Sequence, residues 1–163
     1  MIIYHPAYDV HHCAYRLLNL LRSVEGGTVS KNSLRLMDFY YVYPHLLKKV
    51  KRPRPLAKYS LAIDAVDEAF EITPNPTSLF YELCRMQDSA FRSLEQKSLI
   101  YFNGDKVKIN HEKLPAGLIA GFESDEFSGS DFFKALVNAF PLLKVNGKDG
   151  FKERSGLMEF RYD

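Results

Sequence analysis

The stretch LIYFNGDKVKIN, residues 99–110, constrains the fold of this chain more than any other. Asn103-Gly104 lies between two runs of β-formers, and a type I′ turn needs positive φ at both central positions, which Asn and Gly tolerate. The spacing predicts strands over Leu99–Phe102 and Asp105–Asn110, joined by that turn. An isolated hairpin is marginal in water, so its apolar face must rest on something else. The residues ahead of it supply that support. Leu79, Phe80, Leu83, Cys84, Met86, Ala90, Phe91 and Leu94 recur at helical spacing, which predicts a helical region capped by Thr77 or Ser78 and reaching Lys97. That is long for a small domain, so a break is expected near Arg85–Asp88. Helix, helix, then hairpin is the order of a winged helix-turn-helix, with the hairpin as wing.

The first half is helical as well. Asp9 is a good N-cap, and Val10, Cys13, Ala14, Leu17, Leu18, Leu21 and Val24 form one apolar face that Gly26-Gly27 ends. Ser30 caps a second helix through Leu34, Met37, Asp38 and Tyr41 as far as Tyr43, where Pro44 breaks it, and His45–Val50 adds a last turn. KKVKRPRP at 48–55 reads as extended because of its prolines. Lys58–Phe70 reads as a short helix with an acidic face, and ITPNPTS at 72–78 as a connector. The expected organisation is a helical, winged-helix-like lobe at 1–72 whose own hairpin is weak or lost, a second winged-helix-like lobe at 73–115, and a C-terminal portion at 116–163 on the same unit. That last portion holds a small-residue segment, an acidic patch (Glu123, Asp125, Glu126), a final helix capped by Ser130, two glycine turns and a short closing strand at Leu157–Tyr162. The fold class is α+β, mainly helical, with one or two winged-helix-like lobes.

Charge narrows the function. The net charge is only +2, yet Lys48, Lys49, Lys51, Arg52 and Arg54 crowd into one short run, so the rest of the chain is net acidic. Held extended, that run suits the phosphates of DNA, contacted without reading sequence, or an acidic protein. On the helix before the hairpin, the candidates for a DNA-reading face are Arg85, Gln87, Arg92, Glu95, Gln96 and Lys97, a mixed set poorly suited to reading bases. Tyr101 and Phe102 suit a protein interface better.

Catalysis and metal binding find little support. His5, His11, His12 and Cys13 are possible ligands, but successive helical residues diverge by about 100°, so His11, His12 and Cys13 cannot face one ion. Cys13 lies on the apolar stripe, away from any role as an exposed nucleophile. The sequence has no CxxC, HExxH, GxSxG, phosphate-binding loop or GxGxxG. A small hydrolase or nuclease built on His5, Asp9 and His12 is the weakest of the readings. No cofactor is expected. The two cysteines suit reduced, buried thiols, there is no secretory pattern, and no window approaches the roughly 18 apolar residues of a membrane span. A cytoplasmic protein without membrane contact is the expectation.

Three segments then carry a resemblance. YHPAYDVHHCAYRLLNLL, SLRLMDFYYVYPHLLKKVKRP and TSLFYELCRMQDSAFRSLEQKSLI, in that order from Tyr4 to Pro115, resemble the middle component of bacterial ABC-three-component systems, the group that includes the small subunit of Lamassu-type defence complexes. The resemblance implies a non-enzymatic subunit working beside an SMC/Rad50-like ABC ATPase and a separate effector, often a nuclease, in sensing foreign DNA such as phage or plasmid ends. It implies that Tyr4, His5, Pro6, Asp9, His12, Arg16, Asp38, Tyr40, Pro44, Met86 and Gln87 define the fold or an interface. Physically, Arg16 lies two turns along from Asp9 and can fork onto Asp38 of the second helix. A stand-alone winged-helix transcriptional regulator, reading DNA as a homodimer, is the alternative.

Overall fold

The computed structural model describes residues 9–69 and 75–158. The expected turn at His5-Pro6, the sites at Tyr4, His5 and Pro6, and most of the expected strand at Leu157–Tyr162 lie outside the described residues. Leu157 and Met158 themselves are not in a strand.

Helix α1 (Val10–Ser23) opens at Asp9, whose Oδ1 accepts from the amides of His11 at 2.8 Å and His12 at 3.1 Å. This satisfies donors that have no partner in the first turn. Gly26 and Gly27 then turn the chain at φ 75° and 64°, into a short strand β1 (Thr28–Ser30). Gly27 has a second reason to lack a side chain. A Cβ there would lie 2.8 Å from Ile109 Cγ2 and 3.0 Å from His111 Nε2. Helix α2 (Lys31–Val42) begins as expected, with Ser30 Oγ accepting from the Ser33 amide at 3.1 Å, and it ends before Pro44.

The basic run is not simply extended. Pro44–Lys49 forms a tight 3-10 turn, and Arg54–Ala57 forms a one-turn helix, α3, with Pro55 in its first turn. Proline is tolerated there because the amides of the first turn have no intrahelical acceptor to lose. Helix α4 (Ser60–Asp64) is shorter than the expected span.

Helix α5 (Pro76–Gln96) is continuous. Its cap is Asn75, which accepts from the Thr77 amide at 2.9 Å, and neither Thr77 nor Ser78 serves. The expected break at Arg85–Asp88 does not occur. No glycine or proline interrupts the interior, and Leu79, Phe80, Leu83, Gln87, Ala90, Phe91 and Leu94 bury one uninterrupted face along the whole length.

Strands β2 (Ile100–Asn103) and β3 (Lys106–Ile109) form the hairpin, with β1 on the other side of β3, so the antiparallel sheet runs β1-β3-β2. The turn sits one residue later than expected. Asn103 pairs with Lys106, Gly104-Asp105 occupy the centre, and only Gly104 has positive φ, at 61°, the requirement of a type II′ turn. The reason is register: Ile100 opposes Ile109 and Phe102 opposes Val107, whereas the expected turn would set Phe102 against Asp105.

Helices α6 (Ala116–Ser124), α7 (Asp131–Ala139) and α8 (Phe151–Ser155) complete the described chain. Only α7 was expected as a helix, capped by Ser130. The small-residue segment is α6, and a further helix, α8, follows the glycine turns and ends at Gly156 with φ 74°. The architecture is mainly helical with a small antiparallel sheet. One continuous core draws on residues from both sides of the 72–78 connector. Within it Tyr40 lies against Phe39, Phe140 and Phe151, with ring centroids 5.0, 5.7 and 5.8 Å away, and Phe39 meets Phe80 edge-on at 5.4 Å.

Candidate functional site

Where α1, α2 and α5 meet, the apolar core contains a polar cluster. Asp38 of α2 is fully buried. Its Oδ1 accepts from Arg16 Nε at 2.6 Å, and its Oδ2 accepts from Arg16 Nη2 at 3.3 Å and Gln87 Nε2 at 2.9 Å. The fork expected from the spacing of Arg16 is therefore present. The Cys13 thiol adds a weak donor to Oδ2 at 3.9 Å. Every helix at the junction contributes, so the carboxylate fixes three helices at once.

Gln87 extends the cluster outward. Its amide nitrogen also donates to the Arg35 carbonyl at 3.2 Å, and its oxygen accepts from Arg35 Nη1 at 3.3 Å. Arg35 also donates to the Cys84 carbonyl at 3.0 Å, pairs through Nη2 with Asp88, and lies over the Phe91 ring at 5.4 Å. Gln87 was a candidate for the solvent-facing side of α5, and that placement is wrong: it is fully buried. The signal was available, since residue 87 falls on the same stripe as Leu83, Ala90 and Leu94. Arg35 was missed altogether, because an arginine on an amphipathic helix looks like a solvated charge.

The electrostatics suit anchoring better than reaction. Burial pulls the Arg16 guanidinium down, but the facing Asp38 carboxylate more than offsets this, and the net shift is upward. Burial, then the charge of Asp38, pushes the Cys13 thiol far up, so it stays protonated and is a poor nucleophile. Burial raises Cys84 too. His11 and His12 are exposed while Cys13 points into the core. Among the described residues no group of three or more His, Cys, Asp or Glu could hold a metal ion.

The remaining sequence candidates are dispersed. Tyr40 is buried in the aromatic core, whereas Pro44 and Met86 are half-buried. The basic run is partly neutralised within the chain: Lys48 pairs with Glu68 at 3.1 Å, and Arg52 with Asp64, whose carboxyl that hydrogen bond holds below its ordinary range. Lys49, Lys51 and Arg54 face solvent. On the hairpin, Phe102 turns inward onto Phe91, with ring centroids 5.7 Å apart, and Tyr101 remains half exposed. Between α4 and the start of α7 lies an open cleft of about 570 Å³, bordered by Tyr59, Leu61, Val66 and Phe132. Leu61 on its rim is 88% exposed.

A buried polar junction with inert thiols marks this molecule as one organised around its scaffold. The family model described as ABC-three component (ABC-3C) system Middle Component 5 matches residues 2–163, and the chain belongs to that family. Middle components are accessory subunits that work with the ABC ATPase and effector components of these systems. No curated protein and no solved structure matches the chain. Among the described residues no helix is long and apolar enough to cross a membrane.

Proposed function

We propose that this chain is a non-enzymatic subunit that docks on an SMC/Rad50-like ABC ATPase and helps couple the sensing of foreign DNA to a nuclease-type effector, as in Lamassu-type anti-phage and anti-plasmid defence. The family match over residues 2–163 carries this reading. The buried cluster supports it, because Arg16, Asp38 and Gln87 are spent on holding helices together.

The order α1-β1-α2-α5-β2-β3, with the sheet arranged β1-β3-β2, supports reading these elements as one winged-helix-like lobe, with residues 44–69 as an insertion before the third helix. On this reading the segments 1–72, 73–115 and 116–163 act as parts of one docking body in the cytoplasm. Tyr101, the cleft beside Leu61 and the solvent-facing Lys49, Lys51 and Arg54 are the surfaces left for partners or for DNA held by the complex.

A free-standing regulator fits the same connectivity less well. Helix-turn-helix proteins read bases with the N-terminal residues of the recognition helix. Here that end of α5 is occupied by the chain itself: Thr77 Oγ1 donates to the Gly156 carbonyl and Tyr81 Oη to the Leu157 carbonyl, each at 2.9 Å, and Lys152 lies over the Phe80 ring. The experiment is a phage and plasmid challenge of cells carrying the complete system. Removing this chain abolishes protection on the proposed reading. Protection that persists without it, or a nuclease activity in the isolated chain, contradicts the proposal.

A further inference from the structure

The outer face of the sheet joins an exposed aromatic ring to positive charge. Side chains alternate across a strand, so Val29, Ile100, Phe102, Val107 and Ile109 face the core. Tyr101, Lys106 and Lys108 face the other way and are exposed. Tyr101 stands directly opposite Lys108, and Lys106 follows two residues along β3, about 6.8 Å away. Tyr101 is 50% exposed, and its hydroxyl is held by a hydrogen bond. Asn110 Nδ2 donates to the Tyr101 hydroxyl at 2.7 Å and to the Ser98 carbonyl at 2.9 Å, linking the ring to the turn between α5 and β2.

The lysines differ from Lys48 and Arg52 of the basic run. Among the described residues, none of Lys97, Lys106, Lys108 and Lys113 lies within 4 Å of a carboxylate, whereas Lys48 and Arg52 are both paired. No acidic residue shares the outward positions of the three strands: the neighbours of the lysines there are Thr28, Ser30, Tyr101 and Asn103. A pair of exposed lysines flanking an exposed ring has a natural complement, a flexible polyanion carrying flat apolar groups.

We propose that this sheet face binds single-stranded nucleic acid without sequence preference, with Tyr101 stacking on an unpaired base and Lys106 and Lys108 contacting successive phosphates. The stack uses the π-face that every base offers, and the lysines act by releasing counterions from the backbone, so neither contact selects a sequence. An acidic polypeptide would satisfy the lysines but would leave the ring without a flat partner. The site is separate from the basic run and does not depend on which ATPase the chain accompanies.

Fluorescence anisotropy of the full chain with a labelled mixed-sequence single-stranded oligonucleotide, titrated across a salt series, tests the assignment. Lys106→Ala with Lys108→Ala is expected to weaken binding at low salt by tenfold or more. It should also reduce the slope of log affinity against log salt by about 1.4, from roughly 0.7 per phosphate contact in a single strand. Tyr101→Ala is expected to weaken it about fivefold, the lower end of a base–aromatic stack, while Tyr101→Phe keeps the affinity within about twofold. Lys134→Ala with Arg154→Ala, two exposed cations on α7 and α8, serves as a charge-matched control and is expected to change little. The proposal is overturned if the full chain binds no oligonucleotide at low salt, or if the control variant loses as much as the sheet variant. It is equally overturned if poly-glutamate of matched charge displaces the strand at equal concentration, since the face would then be one for acidic proteins.

Discussion

Replacing Arg16 by alanine withdraws two charge-assisted hydrogen bonds, at 2.6 and 3.3 Å, from a carboxylate that is fully buried. Asp38 would keep only the Gln87 amide at 2.9 Å and a thiol at 3.9 Å. Breaking a buried pair from one side costs about 3–5 kcal/mol, because the remaining charge is stranded in a medium that solvates it poorly. For a chain of this size that lowers the melting temperature by about 6–20 °C. The companion variant carries the diagnosis. Arg16→Met with Asp38→Leu removes both charges and fills the space, and buried pairs replaced in this way are often neutral or better. Urea unfolding followed by far-UV circular dichroism should show Arg16→Ala and Asp38→Ala each strongly destabilised, the Met/Leu double variant close to wild type, and slopes unchanged. A loss below about 1 kcal/mol for Arg16→Ala, or a double variant that loses the sum of the single losses, would refute the claim that this pair sets the helix junction.

Other outcomes follow from the same geometry. Cys13 should resist a thiol reagent such as DTNB in the native protein and react only on unfolding, and rapid native labelling at Cys13 would contradict its place against Asp38. Tyr15, buried in part and donating to Asp125 at 3.0 Å, and Tyr41, raised mainly by burial, are both pushed up to about 12. Since folding favours their protonated forms, the stability they contribute is complete below the ordinary tyrosine value near 10 and is lost as pH rises from about 10 to 12. Absorbance at 295 nm should show a late-titrating component that shrinks in Tyr15→Phe. Gly27→Ala should cost about 1–3 kcal/mol by thermal melt, because φ is 64° and Ile109 lies 2.8 Å from the added carbon; a neutral change would argue against that close approach.

The physics also explains what could be read from sequence. The hairpin was legible because a turn is a local signal, but its register was not, since pairing Ile100 with Ile109 is decided across strands. Strand β1 was illegible for a related reason: Thr28–Ser30 is a strand only because β3 lies beside it. The break expected in α5 came from its length alone, whereas Gln87, a polar residue on the apolar stripe, is held by Asp38 and Arg35 and lets one buried face run through that point. The Arg16–Asp38 pair was accessible because helical spacing places both on facing sides of known helices. The five cations of the basic run could be counted from the sequence, but the ion pairs that neutralise two of them join residues 12 and 20 positions apart.

The account rests on this chain being a docking subunit, and co-expression with the ABC ATPase component of its own system tests that most directly. Affinity purification through a tag on this chain, followed by size-exclusion chromatography with light scattering, should return the ATPase in a fixed molar ratio that survives moderate salt. Elution of this chain alone, with the ATPase folded and intact in a separate peak, would contradict the account.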